Sequence, residues 1–240
     1  MPLVSAFTAL CRKEFNIMIN FSRRLFAVIL SAFMIYCLTA CQNSGGGTNA
    51  SDVGASVQSG GGNILIAYFT AAENSGVDAV ASASYTTIEG QAVGRLRAVA
   101  DMIHDNVGGD LFSIRTSVVY PTDGRELIDY AATEQDENAR PKLISHIENP
   151  DSYDIIFIGY PNWWADLPMA VYSFFDEYDF SSKTIIPFNV HNGSRFSRTI
   201  ETIQELEPNA TVIEDGFTVS ERSVAGAAGD VAEWLGGLGF

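Results

Sequence analysis

Three short stretches of the chain carry side chains suited to holding a ligand, and none carries the parts of a hydrolase. Tyr160-Pro161-Asn162-Trp163-Trp164-Ala165-Asp166-Leu167-Pro168 sets two adjacent indoles between prolines, directly after the apolar run Ile155-Ile156-Phe157-Ile158-Gly159. The stretch from Thr70 to Gly90 is rich in Ser, Thr, Ala and Gly, lacks Lys and Arg, and is long for a strand-to-helix connection. His191-Asn192-Gly193-Ser194-Arg195 offers hydrogen-bond donors around a glycine that permits close backbone approach. Hydroxyls and the N–H groups of a helix N-terminus hold a phosphate without basic side chains. Indoles supply a flat apolar wall. Together the three stretches describe a phosphate cradle, an aromatic wall and a polar edge, and FMN is a ligand with that shape.

Each stretch also has a plainer reading. The first is a surface loop with no ligand. Both tryptophans pack as core beneath the following helix, since Trp is usually well buried. His191 is a solvated or capping residue. Other chemistries are harder to place. The three cysteines, Cys11, Cys37 and Cys41, leave no thiol nucleophile or disulfide in residues 42–240. Only His104, His146 and His191 are present, without the spacing of a histidine metal site, so none is expected. Nothing in the three loops forms a nucleophile–base pair, so acyl transfer or hydrolysis is not expected.

The elements that must position these loops follow from periodicity. Asn63 to Phe69, Asp110 to Arg115, Tyr153 to Tyr160, Lys183 to Val190 and Thr211 to Val219 read as strands. Helices are expected over Gln91 to Asp105, Glu126 to Asn138, Met169 to Asp176, Phe196 to Leu206 and Ser223 to Leu235. Strands alternating with helices indicate an α/β domain with a doubly wound parallel sheet, helices on both faces, and strand order 2-1-3-4-5. In such a sheet ligands bind at the carboxyl ends of the strands, beside the point where the order reverses. That rule selects the loops beginning at Thr70, Pro161 and His191.

The N-terminal segment reads as an address. Asn20-Phe21-Ser22-Arg23-Arg24 is a basic n-region, and Leu25 to Leu38 is an apolar run of signal-peptide length. It ends in Leu38-Thr39-Ala40-Cys41, the pattern of a bacterial lipoprotein box in which Cys41 becomes the lipidated first residue. An uncleaved signal anchor or a buried core helix is the alternative. Residues 1–17 fit no signal pattern, so translation is expected to begin at Met18. Gln42 to Gly62, of Gly, Ser, Asn and Ala, reads as a flexible tether that lets the domain 63–240 stand off the membrane.

The whole chain carries a formal charge of −15. Past Cys41 there are ten basic and 28 acidic side chains, a formal −18. Nucleic-acid binding needs a basic footprint and is excluded on this balance. Contact with an anionic membrane is expected through the lipid alone, and basic partners are favoured.

Tyr153-Asp154-Ile155-Ile156-Phe157-Ile158-Gly159-Tyr160-Pro161-Asn162-Trp163-Trp164 resembles the bacterial flavodoxin family. So do Leu167-Pro168-Met169-Ala170-Val171-Tyr172, Lys183-Thr184-Ile185-Ile186-Pro187-Phe188 and Asn138-Ala139-Arg140-Pro141. The resemblance spans about residues 63–219. It implies a flavodoxin-like fold, non-covalent FMN, and either electron transfer or flavin-dependent reduction, with a redox protein or a small-molecule acceptor as partner. By position, Thr70 and the turn Gly90-Gln91-Ala92 would line the phosphate site, where the family usually has Gly-Asn-Thr. Thr86 and Thr87 lie just upstream as substitute hydroxyls. Tyr120 with Pro161, Asn162, Trp163 and Trp164 would border the ring, and His191, Asn192, Gly193 and Ser194 would close its other side. A binding lipoprotein that kept the fold and lost FMN is the alternative that the altered turn leaves open.

Overall fold

The run Ile155 to Pro161 is apolar on both faces because it lies at the centre of a parallel sheet, where helices cover each side. The computed structural model of the chain describes residues 63–75 and 84–240. The signal segment, Cys41, the tether and residues 76–83 of the first loop lie outside them.

The strands are β1 (Ile64–Tyr68), β2 (Tyr85–Ile88), β3 (Gln91–Gly94), β4 (Asp110–Ser113), β5 (Ile155–Pro161), β6 (Thr184–His191), β7 (Thr211–Val212) and β8 (Phe217–Ser220). The helices are α1 (Arg95–Val107), α2 (Gly124–Asp136), α3 (Met169–Glu177), α4 (Thr199–Leu206) and α5 (Ala228–Leu238). The main sheet is parallel with order β4-β1-β5-β6, and β7 and β8 both pair with β6 at the edge. Counting that edge as one position gives the expected order 2-1-3-4-5.

Alternation along the strands divides the core. Leu65, Ala67, Ile156, Ile158 and Tyr160 face α2, α3 and α4, whereas Ile66, Tyr68, Ile155 and Phe157 face α1 and α5. Gly159 faces the ring of Phe188 on the neighbouring strand, and a Cβ there would stand 2.2 Å from it. The absent side chain is what allows a phenylalanine at that position of β6.

The edge departs from expectation. The single strand read over Thr211 to Val219 is two, and Pro187 explains the break. The carbonyl of Ile185 accepts from Ile213 N at 2.8 Å, so its side of β6 faces the edge. Two residues on, Pro187 faces the same way and has no N–H to give. The ladder stops after Ile185↔Val212 and resumes at Phe188↔Phe217.

A larger departure lies before α1. The helix expected from Gln91 begins at Arg95, and the residues ahead of it form the antiparallel hairpin β2–β3. Glu89 (φ 50°) and Gly90 (φ 80°) are its two-residue turn, the left-handed pair that matches strand twist. β-branched Thr86, Thr87 and Ile88 favour the strand on one side of the turn, and Val93 on the other.

Tyr120 is 1% exposed and belongs to the core below α2. Its ring meets Phe69 edge-on at 5.5 Å, and its hydroxyl donates to the Glu134 carboxylate at 3.2 Å. Burial pushes the Glu134 carboxyl up to about 7, against the lowering effect of the Tyr120 hydroxyl. Burial likewise raises Glu207 to about 6, where Phe180 N donates to it. Both groups titrate higher folded than unfolded, so folding favours their protonated forms. Their contribution to stability is complete below about 4.5 and is lost as pH rises through 6 and then 7. The urea midpoint is therefore expected to fall between pH 5 and pH 8, and Glu134→Gln to make that fall smaller; an identical fall in the variant would contradict the assignment. Independently, Gly159→Ala is expected to cost about 1–3 kcal/mol through overpacking against Phe188. An unshifted denaturation midpoint would contradict the packing described.

Candidate functional site

The connections that leave β1, β5 and β6 at their carboxyl ends enclose a cavity of about 610 Å³, within the usual size of a cofactor site. Thr70, Pro161, Asn162, Trp163, Trp164, His191 and Asn192 line it, as the sequence reading expected of those seven.

The tryptophan pair forms a tight turn. Trp163 N donates to Asp166 O at 3.1 Å and Asp166 N returns the bond to Trp163 O at 3.0 Å. Between them Trp164 (φ 52°) and Ala165 (φ 63°) are both left-handed, a conformation that costs non-glycine residues about 1 kcal/mol or more each. The Asp166 side chain holds the turn. Its Oδ1 accepts from Leu167 N at 2.8 Å and Thr202 Oγ1 at 3.2 Å, and its Oδ2 from the Tyr172 hydroxyl at 3.0 Å.

Reversing the backbone sends the two indoles to different environments. Trp163 packs edge-on against Phe69 at 5.5 Å and tilted against Tyr120 at 5.8 Å, as a partly buried margin of the core. Trp164 is 57% exposed and donates its Nε1–H to the Ile128 carbonyl on α2 at 3.1 Å. Leu127, Ile128 and Ala131 of α2 continue the apolar wall beside it. One tryptophan braces the turn and the other forms the wall.

The opposite end of the cavity is polar. Thr70 is wholly buried, and its Oγ1 has no hydrogen-bond partner among the described residues. It lies against the start of α1, since a Cβ on Gly94 would stand 2.9 Å from it. Gly94 is the N-cap of α1 and provides no side-chain cap, and no acidic residue occupies the first turn. The positive end of the helix dipole therefore lies beside an uncommitted hydroxyl. Ser84 Oγ is also buried without a partner among the described residues and lines the same space. Arg95 and Glu221 line it too, with Arg95 Nη1 at 3.9 Å from Glu221 Oε2.

The third side is laced by amides. Asn162 Nδ2 donates to Arg195 O at 2.6 Å and Ser197 Oγ at 3.2 Å, and Asn189 Nδ2 donates to the same carbonyl at 2.9 Å. Asn162 Oδ1 is left buried and unpartnered among the described residues. His191 Nδ1 accepts the Gly193 N–H at 2.8 Å, which places the ring proton of the neutral imidazole on Nε2. Burial, with Arg195 second, holds this histidine below its ordinary range, so it is neutral at pH 7.

Several expected site residues lie elsewhere. Gly90, Gln91 and Ala92 are exposed at the hairpin tip and line no part of the cavity, because the hairpin moves the helix start to Arg95. Tyr120 supports Trp163 from behind and does not line the cavity. Gly193 and Ser194 also stand outside the lining; Gly193 acts through its bond to His191. Ser84, Arg95, Glu221 and the α2 residues were missed. For Ser84 and Arg95 the signal was the true end of the first connection, which an unrecognised Glu-Gly hairpin concealed; Glu221, after β8, and the α2 residues come from elements that the three-loop rule does not select.

Thr70 Oγ1, Ser84 Oγ and Asn162 Oδ1, buried without partners among the described residues, would each cost about 1–3 kcal/mol if neither water nor a ligand satisfied them. Their placement suits one ligand: hydroxyls and helix N–H groups for an anion, an indole wall for a ring, and a free amide oxygen for a ring N–H.

No curated protein matches the chain. Among solved structures, a provisionally assigned flavoprotein from Bacteroides uniformis aligns at 24% identity, covering 74% of this chain and 99% of its own, with a TM-score of 0.55. One from Bacteroides eggerthii, likewise provisionally assigned, aligns at 23% identity, covering 75% and 99%, with a TM-score of 0.54. These likenesses concern the fold. The flavodoxin family model matches residues 63–236, nearly the whole of the described sheet and its helices. The chain belongs to the flavodoxin family.

Proposed function

We propose that the cavity binds FMN non-covalently and that the protein is an extracytoplasmic redox protein, either an electron carrier or a reductase of small substrates, anchored by lipid on Cys41. The observation that carries this reading is the set of buried atoms without partners among the described residues, Thr70 Oγ1, Ser84 Oγ and Asn162 Oδ1, in a cavity walled by Trp164. Bound FMN supplies one- and two-electron chemistry. The chain's own residues hold and tune it. Thr70, Ser84 and the start of α1 receive the phosphate, Pro161 to Trp164 border the ring, and Asn162 Oδ1 accepts from a ring N–H.

The indole wall excludes water and presents its negative π face. With the −18 formal charge past Cys41, this disfavours the anionic reduced ring, so a low potential is expected for the second electron. The same charge favours a basic redox partner. The case for a flavin-free binding lipoprotein rested on the altered Gly90-Gln91-Ala92 turn. With that turn at the hairpin tip, nothing particular favours it.

Titration with FMN is expected to quench flavin fluorescence with a Kd of about 1 µM or below. Fluorescence that persists at several times that protein concentration would sink the flavin reading. Within it the two tryptophans should separate. Trp164→Ala is expected to weaken FMN binding about tenfold while changing stability by less than about 1 kcal/mol. Trp163→Ala should cost about 3 kcal/mol of stability through its core contacts. Equal effects of the two on melting and on binding would contradict the assignment of wall and brace. For the anchor, Cys41→Ser is expected to release the protein from the membrane fraction, and continued membrane attachment would argue for an uncleaved span.

A further inference from the structure

Arg95 opens α1, where a cation faces the positive end of the helix dipole and is disfavoured. Such a placement is compensated when an anion binds at the same point. Two observations bear on that point. Thr70 Oγ1, wholly buried and unpartnered among the described residues, lines the same cavity against Gly94. Arg95 itself lines the cavity, and the carboxylate facing it, Glu221, stands at the outer limit of an ion pair, 3.9 Å away. The two side chains are 18% and 29% exposed, so their attraction is only partly screened by water.

Glu221 is placed by its backbone. It is the first residue after β8, and its N–H donates to the His191 carbonyl at 2.9 Å. Its carboxylate is therefore presented to the cavity from a fixed strand end. A phosphate arriving at Thr70 and the α1 N-terminus would meet this carboxylate as a like charge and the guanidinium as an opposite one. At 3.9 Å the carboxylate holds the guanidinium only loosely, so the phosphate, with more charge and more acceptor oxygens, competes for it.

We infer that Arg95 takes the phosphate of the bound nucleotide and that Glu221 is the counter-charge it releases to do so. The pair then sets how strongly the site requires a phosphorylated flavin, an inference that rests on the flavin reading above. Arg95 supplies the preference for the phosphate and Glu221 restrains it.

FMN and riboflavin, which differ only in the phosphate, provide the test. Both are titrated against the full chain, wild type, Arg95→Gln and Glu221→Gln, with flavin fluorescence as the readout and thermal melting as the check on folding. Arg95→Gln is expected to lower the FMN-to-riboflavin affinity ratio about tenfold or more. Glu221→Gln is expected to raise the same ratio severalfold, and it decides alone if Arg95→Gln does not fold. An unchanged ratio in a folded Arg95→Gln, or an unchanged or lowered ratio in Glu221→Gln, overturns the inference and leaves the flavin site standing. A wild-type protein that binds neither flavin overturns both.

Discussion

A parallel strand cannot turn straight back to its neighbour; each connection must cross a face of the sheet. In this chain β1 sends its crossover to the face covered by α1, and its neighbour β5 sends its own to the opposite face, under α3. The connections leaving Thr70 and Pro161 therefore part in opposite directions, and the space between them belongs to neither helix layer. The cavity follows from that divergence. Its floor is the sheet, its anion-holding end is the start of the helix on one face, and its apolar wall is the turn that leads to the helix on the other.

What the divergence opens, polar side chains keep in shape. Asp166 collects three donors and holds Trp164 and Ala165 in left-handed backbone. Asn162 and Asn189 converge on the Arg195 carbonyl and hold the third loop against the strands it leaves. Bonds such as these are modest singly. Their use here is to fix loop conformations that hydrophobic burial alone does not select.

The strands and most helices were legible because they depend on patterns within the element. The fully apolar Ile155 to Ile158 reads as a central strand, and the periodic apolar residues of α1 read as a helix face. The strand order followed from alternation of strand and helix. The Pro187 break was less legible, since it depends on which side of β6 the missing N–H faces, a register that only pairing with β5 settles. The hairpin was concealed because Glu at a left-handed turn position lacks the usual Asn or Asp signal. That one omission shifted the helix start by four residues. It exchanged an exposed Gly90-Gln91-Ala92 for the real cavity residues Ser84 and Arg95. Tyr120 was placed correctly near the tryptophans but on the wrong side of them. Sequence position reports neighbourhood, whereas burial decides which face a ring presents.

The interruption at Pro187 divides the sheet edge into pieces that need not open together. β7 is stitched to the base of β6 through Lys183 and Ile185, far from the ligand end, and β8 is paired separately with Phe188 to His191. Fraying of one does not unzip the other. The strand end that presents Glu221 is thus held by its own set of hydrogen bonds, separate from those that hold the base of the sheet.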